Sequence, residues 1–176
     1  MNAMNEGIVN NWNEVVGPKD RVFILGDVAM GGMSKAPYLA EYLRRLNGDK
    51  YLVPGNHDTY ILNSEECMEE LTLLPAVYEL KIPDDTLPKR KNGRMKRQTI
   101  VLCHYSMRVW HKNGKGAWHL FGHSHGSMDG IGLSFDVGFD GPYSNHRPMS
   151  YEQVRDVMSN REMALLDHHG EHTSYH

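Results

Sequence analysis

Four short apolar stretches, each running directly into carboxylate, amide or imidazole groups, constrain this chain more than any other feature of it. They are Phe23-Ile24-Leu25-Gly26-Asp27, Leu52-Val53-Pro54-Gly55-Asn56-His57-Asp58, Ile100-Val101-Leu102-Cys103-His104 and Leu120-Phe121-Gly122-His123-Ser124-His125-Gly126. Apolar runs this short read as buried strands, and open α/β sheets place their ligands on the loops that follow such strands. Gly26, Gly55, Gly122 and Gly126 let the backbone turn sharply or approach an ion with no Cβ in the way.

The donor types point to a divalent cation. Carboxylate, amide oxygen and imidazole can share one ion, and no thiolate joins them. Nitrogen and oxygen donors without sulfur favour manganese, iron, zinc, nickel or cobalt, while the imidazole content argues against a plain magnesium or calcium cage.

The ordered blocks Gly26-Asp27, Gly55-Asn56-His57-Asp58, His104 and Gly122-His123-Ser124-His125 resemble the calcineurin-like metallophosphoesterase family, in particular its small phage and bacterial members. The resemblance runs over about residues 4–165 and includes the Trp12-Asn13-Glu14-Val15-Val16 helix end and a strand expected at Phe135-Asp136-Val137-Gly138-Phe139-Asp140. It implies an α/β fold: a four-layer α-β-β-α sandwich of two mixed sheets flanked by helices. It also implies hydrolysis of phosphomonoesters or phosphodiesters by attack of a metal-bound hydroxide, with no covalent phospho-enzyme.

Carried over position by position, the resemblance makes Asp27 the bridge between two ions about 3.5–4 Å apart. Asn56, His104 and His123 complete one ion's shell, and His125 serves the other. His57 is left to face the substrate, where its imidazole would hydrogen-bond a phosphate oxygen or protonate the leaving group, and Asp58 is expected to orient that ring.

One block is missing. The family's Asp-x-His has no match before Asp27: residues 1–26 hold one aspartate, Asp20, and no histidine. The first strand therefore lacks a counterpart, with truncation upstream of an internal methionine the expected cause, and the site served by His125 is expected to be half-built. The only Asp-x-His, Asp167-His168-His169, follows Met163-Ala164-Leu165-Leu166, but a three-residue match alone does not put the tail into the sheet. Two further readings follow: an N-terminally truncated or degenerate member that binds one metal with little activity, and a member that associates with nucleic acid through a basic hairpin over residues 89–97.

Local patterns fill in the remaining elements. Met4, Ile8, Trp12, Val15 and Val16 share a helix face that Gly17-Pro18 ends, and a strand at Val22–Leu25 follows. Leu39, Tyr42, Leu43 and Leu46 mark a second helix closed by Asn47-Gly48, before a strand over Tyr51–Val53. Ser64 with Glu65 and Glu66 starts a third, and Ser150 with Gln153 forms a capping box ahead of Val154, Val157 and Met158. Asn92-Gly93 predicts a turn between strands at Tyr78–Ile82 and Thr99–Leu102.

With 176 residues, 40% of them hydrophobic, the chain can bury one substantial core. One domain is expected over residues 1–176, with a histidine-rich tail from 166. No apolar run approaches the roughly 20 residues of a membrane span and no leader opens the chain, so a cytoplasmic location with no membrane partner is expected. Cys67 and Cys103 are too few for a disulfide framework and read as buried thiols. A net charge of -3 gives no general attraction to nucleic acid. The basic run Lys89, Arg90, Lys91, Arg94, Lys96 and Arg97 reads first as a solvated loop. His111, His119, His146 and the tail histidines are assigned no ligand role. The expected partner is a phosphoester, and an uncovered sheet edge is expected to permit oligomers.

Overall fold

A computed structural model describes residues 3–89 and 91–164 of the chain. Arg90 and the tail from Leu165, with Asp167, His168 and His169, lie outside the described residues, as does the Met4 side chain. Helix α1 spans Ala3–Val15 and leads to strand β1, Arg21–Ile24. Then come α2 at Ala36–Arg45, β2 at Asp49–Leu52, the single turns α3 at Thr59–Leu62 and α4 at Glu65–Met68, and β3 at Thr72–Leu73. The strand-rich half holds β4 at Val77–Pro83, β5 at Arg97–Cys103, β6 at Trp118–Phe121 and β7 at Ser134–Asp136, and α5 at Tyr151–Ser159 follows.

The strands form two sheets. In the first, ordered β1-β2-β3, every pairing is parallel, with Ile24 opposite Leu52 and Leu52 opposite Leu73. The second, ordered β4-β5-β6-β7, is mixed: β4 runs antiparallel to β5, and β5, β6 and β7 run parallel. Among the described residues β1 pairs on one side only. This is the α/β sandwich that the sequence implies.

Alternation along the strands explains the layers. Ile24 and Leu52 face α2, packing with Ala36, Ala40, Leu43, Ile61 and Cys67. Leu25 and Val53 lie in the other cluster, with Ile100, Leu102, Trp118, Leu120 and Phe135 of the second sheet and Val154 and Met158 of α5. The far face of the second sheet contributes Val101, covered by Trp110 and Ala117. Phe121 and Phe135 are both fully buried. No helix of the described residues is long and apolar enough to cross a membrane.

The helix signals act locally as expected. Ser64 Oγ accepts from the Cys67 N–H, and Ser150 and Gln153 form the reciprocal capping box. Both cysteines are buried free thiols. Several readings need correction. Val15 is exposed, and Val9 takes the buried place on α1 beside Trp12 and Val16. β7 ends at Asp136, and the chain leaves the sheet as a turn before Asp140. Asn92-Gly93 turns within a connection that runs from Asp84 to Lys96, because pairing stops at Pro83 opposite Arg97. Lys89, Lys91, Arg94 and Lys96 there, and Arg97 at the start of β5, are all exposed.

Glu79 on β4 gathers positive charge: Lys81 Nζ lies 2.7 Å from Oε1, Lys112 Nζ 3.7 Å, and His111 Nδ1 contacts Oε2. Lys81 first, then His111, holds the carboxyl down from its ordinary 4.5 to about 2. A carboxyl depressed in the folded state contributes stability above its unfolded pKa and loses it as pH falls through the folded value. Urea midpoints should therefore drop between pH 4.5 and about 2, and Glu79→Gln should flatten that drop. Because these groups are partly exposed the effect is small, and equal slopes for the two proteins would refute it.

Candidate metal centre

Parallel pairing brings the loops after β1, β2, β5 and β6 to one end of the sandwich. His104 sits at their centre and is almost wholly buried, 1% exposed. Its Nδ1 lies 2.7 Å from the Leu25 carbonyl oxygen. A carbonyl can only accept, so Nδ1 carries a proton, and in the neutral ring Nε2 is the nitrogen free to ligate.

That nitrogen faces two oxygen acceptors and a second ring nitrogen. Asp27 Oδ2 is 3.2 Å away, Asn56 Oδ1 3.0 Å and His123 Nδ1 3.1 Å. Ligands adjacent on a cation with bonds of about 2.1 Å stand about 3.0–3.4 Å apart, so the spacing and donor chemistry both fit a divalent ion. The ligating atoms of Asp27, His104 and His123 all lie within 4.8 Å of one another.

Backbone conformation aims these groups. Gly26, Asp27, His123, His125 and Gly126 all have positive φ, between 49° and 79°. Asp and His tolerate this region better than bulkier residues do, and held strain of this kind concentrates at functional sites. Gly26 has no substitute, since a Cβ there would meet His104 Nδ1 at 2.5 Å and Gly55 Cα at 2.6 Å.

Asp27 divides its oxygens: Oδ2 faces the cluster and Oδ1 accepts from the His57 N–H at 2.8 Å. The His57 side is exposed and borders a cavity of about 520 Å³ that Met33, Asn56, Thr59 and Tyr60 help to line. His125 stands outside the cluster, with Nδ1 2.5 Å from Asp140 Oδ2. That carboxylate raises the His125 pKa above its ordinary value.

The expected role of Asp58 requires correction. Its carboxylate is fully buried and accepts three backbone N–H groups: Gly55 at 2.8 Å and Asp27 at 2.9 Å on Oδ2, and Val28 at 3.0 Å on Oδ1. These contacts tie it to the loop after β1 in place of the His57 ring. Arg147 pairs with Glu14 at 2.9 Å. His119 is structural: Nδ1 donates to the Val101 carbonyl, Nε2 accepts from the Met107 N–H, and burial lowers its pKa.

Three site residues escape sequence reasoning. Tyr105 packs edge-on against His104 and His123, and its hydroxyl donates to Asn56 Oδ1 at 3.2 Å. Its place directly after His104 was the available signal. Asp136 is buried and accepts from Gly126 N at 3.0 Å and Gly138 N at 2.7 Å, which anchors the turn beneath His125. Asp140 is the third, through His125.

Residues 5–136 match the family model described as calcineurin-like phosphoesterase. A 57-residue stretch is 42% identical to the uncharacterized protein MJ1445 of Methanocaldococcus jannaschii, covering 32% of this chain and 32% of that protein. The match thus spans about a third of that relative's length. In fold the chain is similar to AQ665 of Aquifex aeolicus, a protein of unknown function with a crystal structure. The TM-score is 0.59 at 17% identity, over 89% of this chain and 86% of that one.

Proposed function

This chain belongs to the calcineurin-like phosphoesterase family, and from that premise we propose that it hydrolyses phosphomonoesters or phosphodiesters at the Asp27 cluster with a divalent cation. The observation that carries this reading is the convergence of Asp27 Oδ2, Asn56 Oδ1 and His123 Nδ1 on His104 Nε2 at 3.0–3.2 Å, a donor set that one cation would gather. Asp27, Asn56, His104 and His123 would hold the ion. Bound there, a divalent cation supplies Lewis acidity to a phosphoryl oxygen and lowers the pKa of water towards about 7.

The side chains around the cluster do the positioning. Tyr105 fixes the Asn56 amide with its oxygen inward, and the His104 bond to Leu25 fixes the imidazole tautomer. His57, exposed beside Asn56, would hydrogen-bond a phosphate oxygen or give a proton to the leaving oxygen. His57→Ala is expected to lower turnover about 10²-fold and leave the metal content unchanged. Lost metal on elemental analysis would instead make His57 a ligand.

The test is hydrolysis of bis(p-nitrophenyl) phosphate and p-nitrophenyl phosphate with added manganese, zinc, nickel or cobalt. Folded protein that hydrolyses neither with any of these ions overturns the reading. His125 supports a second, one-cation reading, because it is engaged by Asp140 outside the cluster. One tightly held ion per chain with little turnover would favour that alternative.

A further inference from the structure

We propose that Asp58 is the positioning residue that clamps the loop after β1 to the loop after β2, and that this clamp sets the affinity of the cluster for its cation. The inference rests on reading Asp27, Asn56, His104 and His123 as a cation site. Asp58 itself does not reach the four ligand atoms. It sits behind them with no exposed surface, where an ionised carboxylate is costly unless hydrogen bonds replace its water.

Three N–H groups replace that water, and their positions give the group its role. Gly55 belongs to the loop that carries Asn56, and Asp27 and Val28, 31 and 30 residues before Asp58, belong to the loop after β1. The exchange is reciprocal. Asp58 accepts from the Asp27 N–H, and Asp27 Oδ1 accepts from the His57 N–H in the Asp58 loop. Asp27 is thereby held at its backbone and at one oxygen, which leaves Oδ2 aimed at His104 Nε2. The loops approach closely beside this bracing, since a Cβ on Gly26 would fall 2.6 Å from the Gly55 Cα.

A charge effect and a positioning effect predict different variants. Asp58→Glu keeps the charge but lengthens the arm, and Asp58→Asn keeps the shape but turns an amide N–H₂ towards N–H donors. Manganese affinity, measured by titration against a chromophoric chelator, should weaken about 10- to 100-fold in both, as it does when groups that orient metal ligands are removed. Thermal unfolding in EDTA establishes that each variant is folded. Wild-type affinity in folded Asp58→Asn overturns the proposal, and wild-type affinity in Asp58→Glu reduces Asp58 to a charge.

Amide exchange on the wild-type chain gives a test that needs no variant. The Asp27, Val28 and Gly55 amides should be protected. Zinc at a hundredfold excess over its Kd should slow their exchange a further roughly 100-fold, because an ion that binds only the clamped loops stabilises the clamp. Fast exchange, or protection indifferent to bound zinc, overturns the proposal. Metal binding without any phosphoester hydrolysis would sink the enzymatic reading and leave this one standing.

Discussion

Asp27→Ala should abolish tight cation binding and, with it, at least about 10³-fold of phosphoester hydrolysis. Among the described residues Asp27 is the only carboxylate in the cluster, whose other donors, Asn56, His104 and His123, are neutral when they ligate. Two unit charges about 4 Å apart attract by about 4 kcal/mol at an effective dielectric of about 20, and about 1.4 kcal/mol is tenfold in a rate or binding constant. A doubly charged ion in direct contact gains more than that, less its own desolvation. The same change removes the acceptor of the His57 N–H and loosens the loop that carries Asn56. Asp27→Asn separates the two losses, because it keeps an acceptor for His57 and removes the charge. Elemental analysis and turnover of both variants decide the matter: an alanine variant that retains its metal would show that Asp27 is not a ligand.

The four strand-to-loop transitions were legible because each is local. An apolar run, a glycine or a strand end, and a polar side chain within a few residues are enough to place Asp27, Asn56, His104 and His123 at strand ends. Parallel pairing does the rest. The capping box at Ser150 was legible for the same reason, as its partners are three residues apart. What escaped is set by approach between distant segments. Asp58 next to His57 suggests a side-chain pair, yet the nearest unsatisfied donors are backbone N–H groups of a loop brought alongside by the first sheet. Tyr105 and Asp140 were hidden likewise, since each matters only through a residue folded against it. The overextended strand at Val137–Asp140 has a local cause: Asp136 accepts the Gly138 N–H, which bends the chain out of the ladder.

Gly55→Ala tests how closely the two loops must approach, and it should be among the most damaging single-methyl additions in the chain. The new Cβ would lie 2.4 Å from Asp27 Oδ1, 2.7 Å from Asp27 N and 2.9 Å from His104 Cε1. None of these can yield cheaply. The Asp27 N–H is bonded to buried Asp58, its Oδ1 to His57 N, and the His104 ring to the Leu25 carbonyl. Relief must break at least one of those bonds, so overpacking and a lost charged hydrogen bond act together, costing about 3 kcal/mol. For a chain of this length that is a fall of about 6–12 °C in Tm, and displacement of Asp27 should remove tight cation binding as well. Gly32→Ala is the matched control: nothing lies within 4 Å of a Cβ there and φ is -148°, so Tm should stay within about 2 °C of wild type. If Gly55→Ala behaved like that control in Tm and in metal affinity, the two loops would have room to separate, and neither the close packing at Gly26 nor the Asp58 bridge could be what aims Asp27.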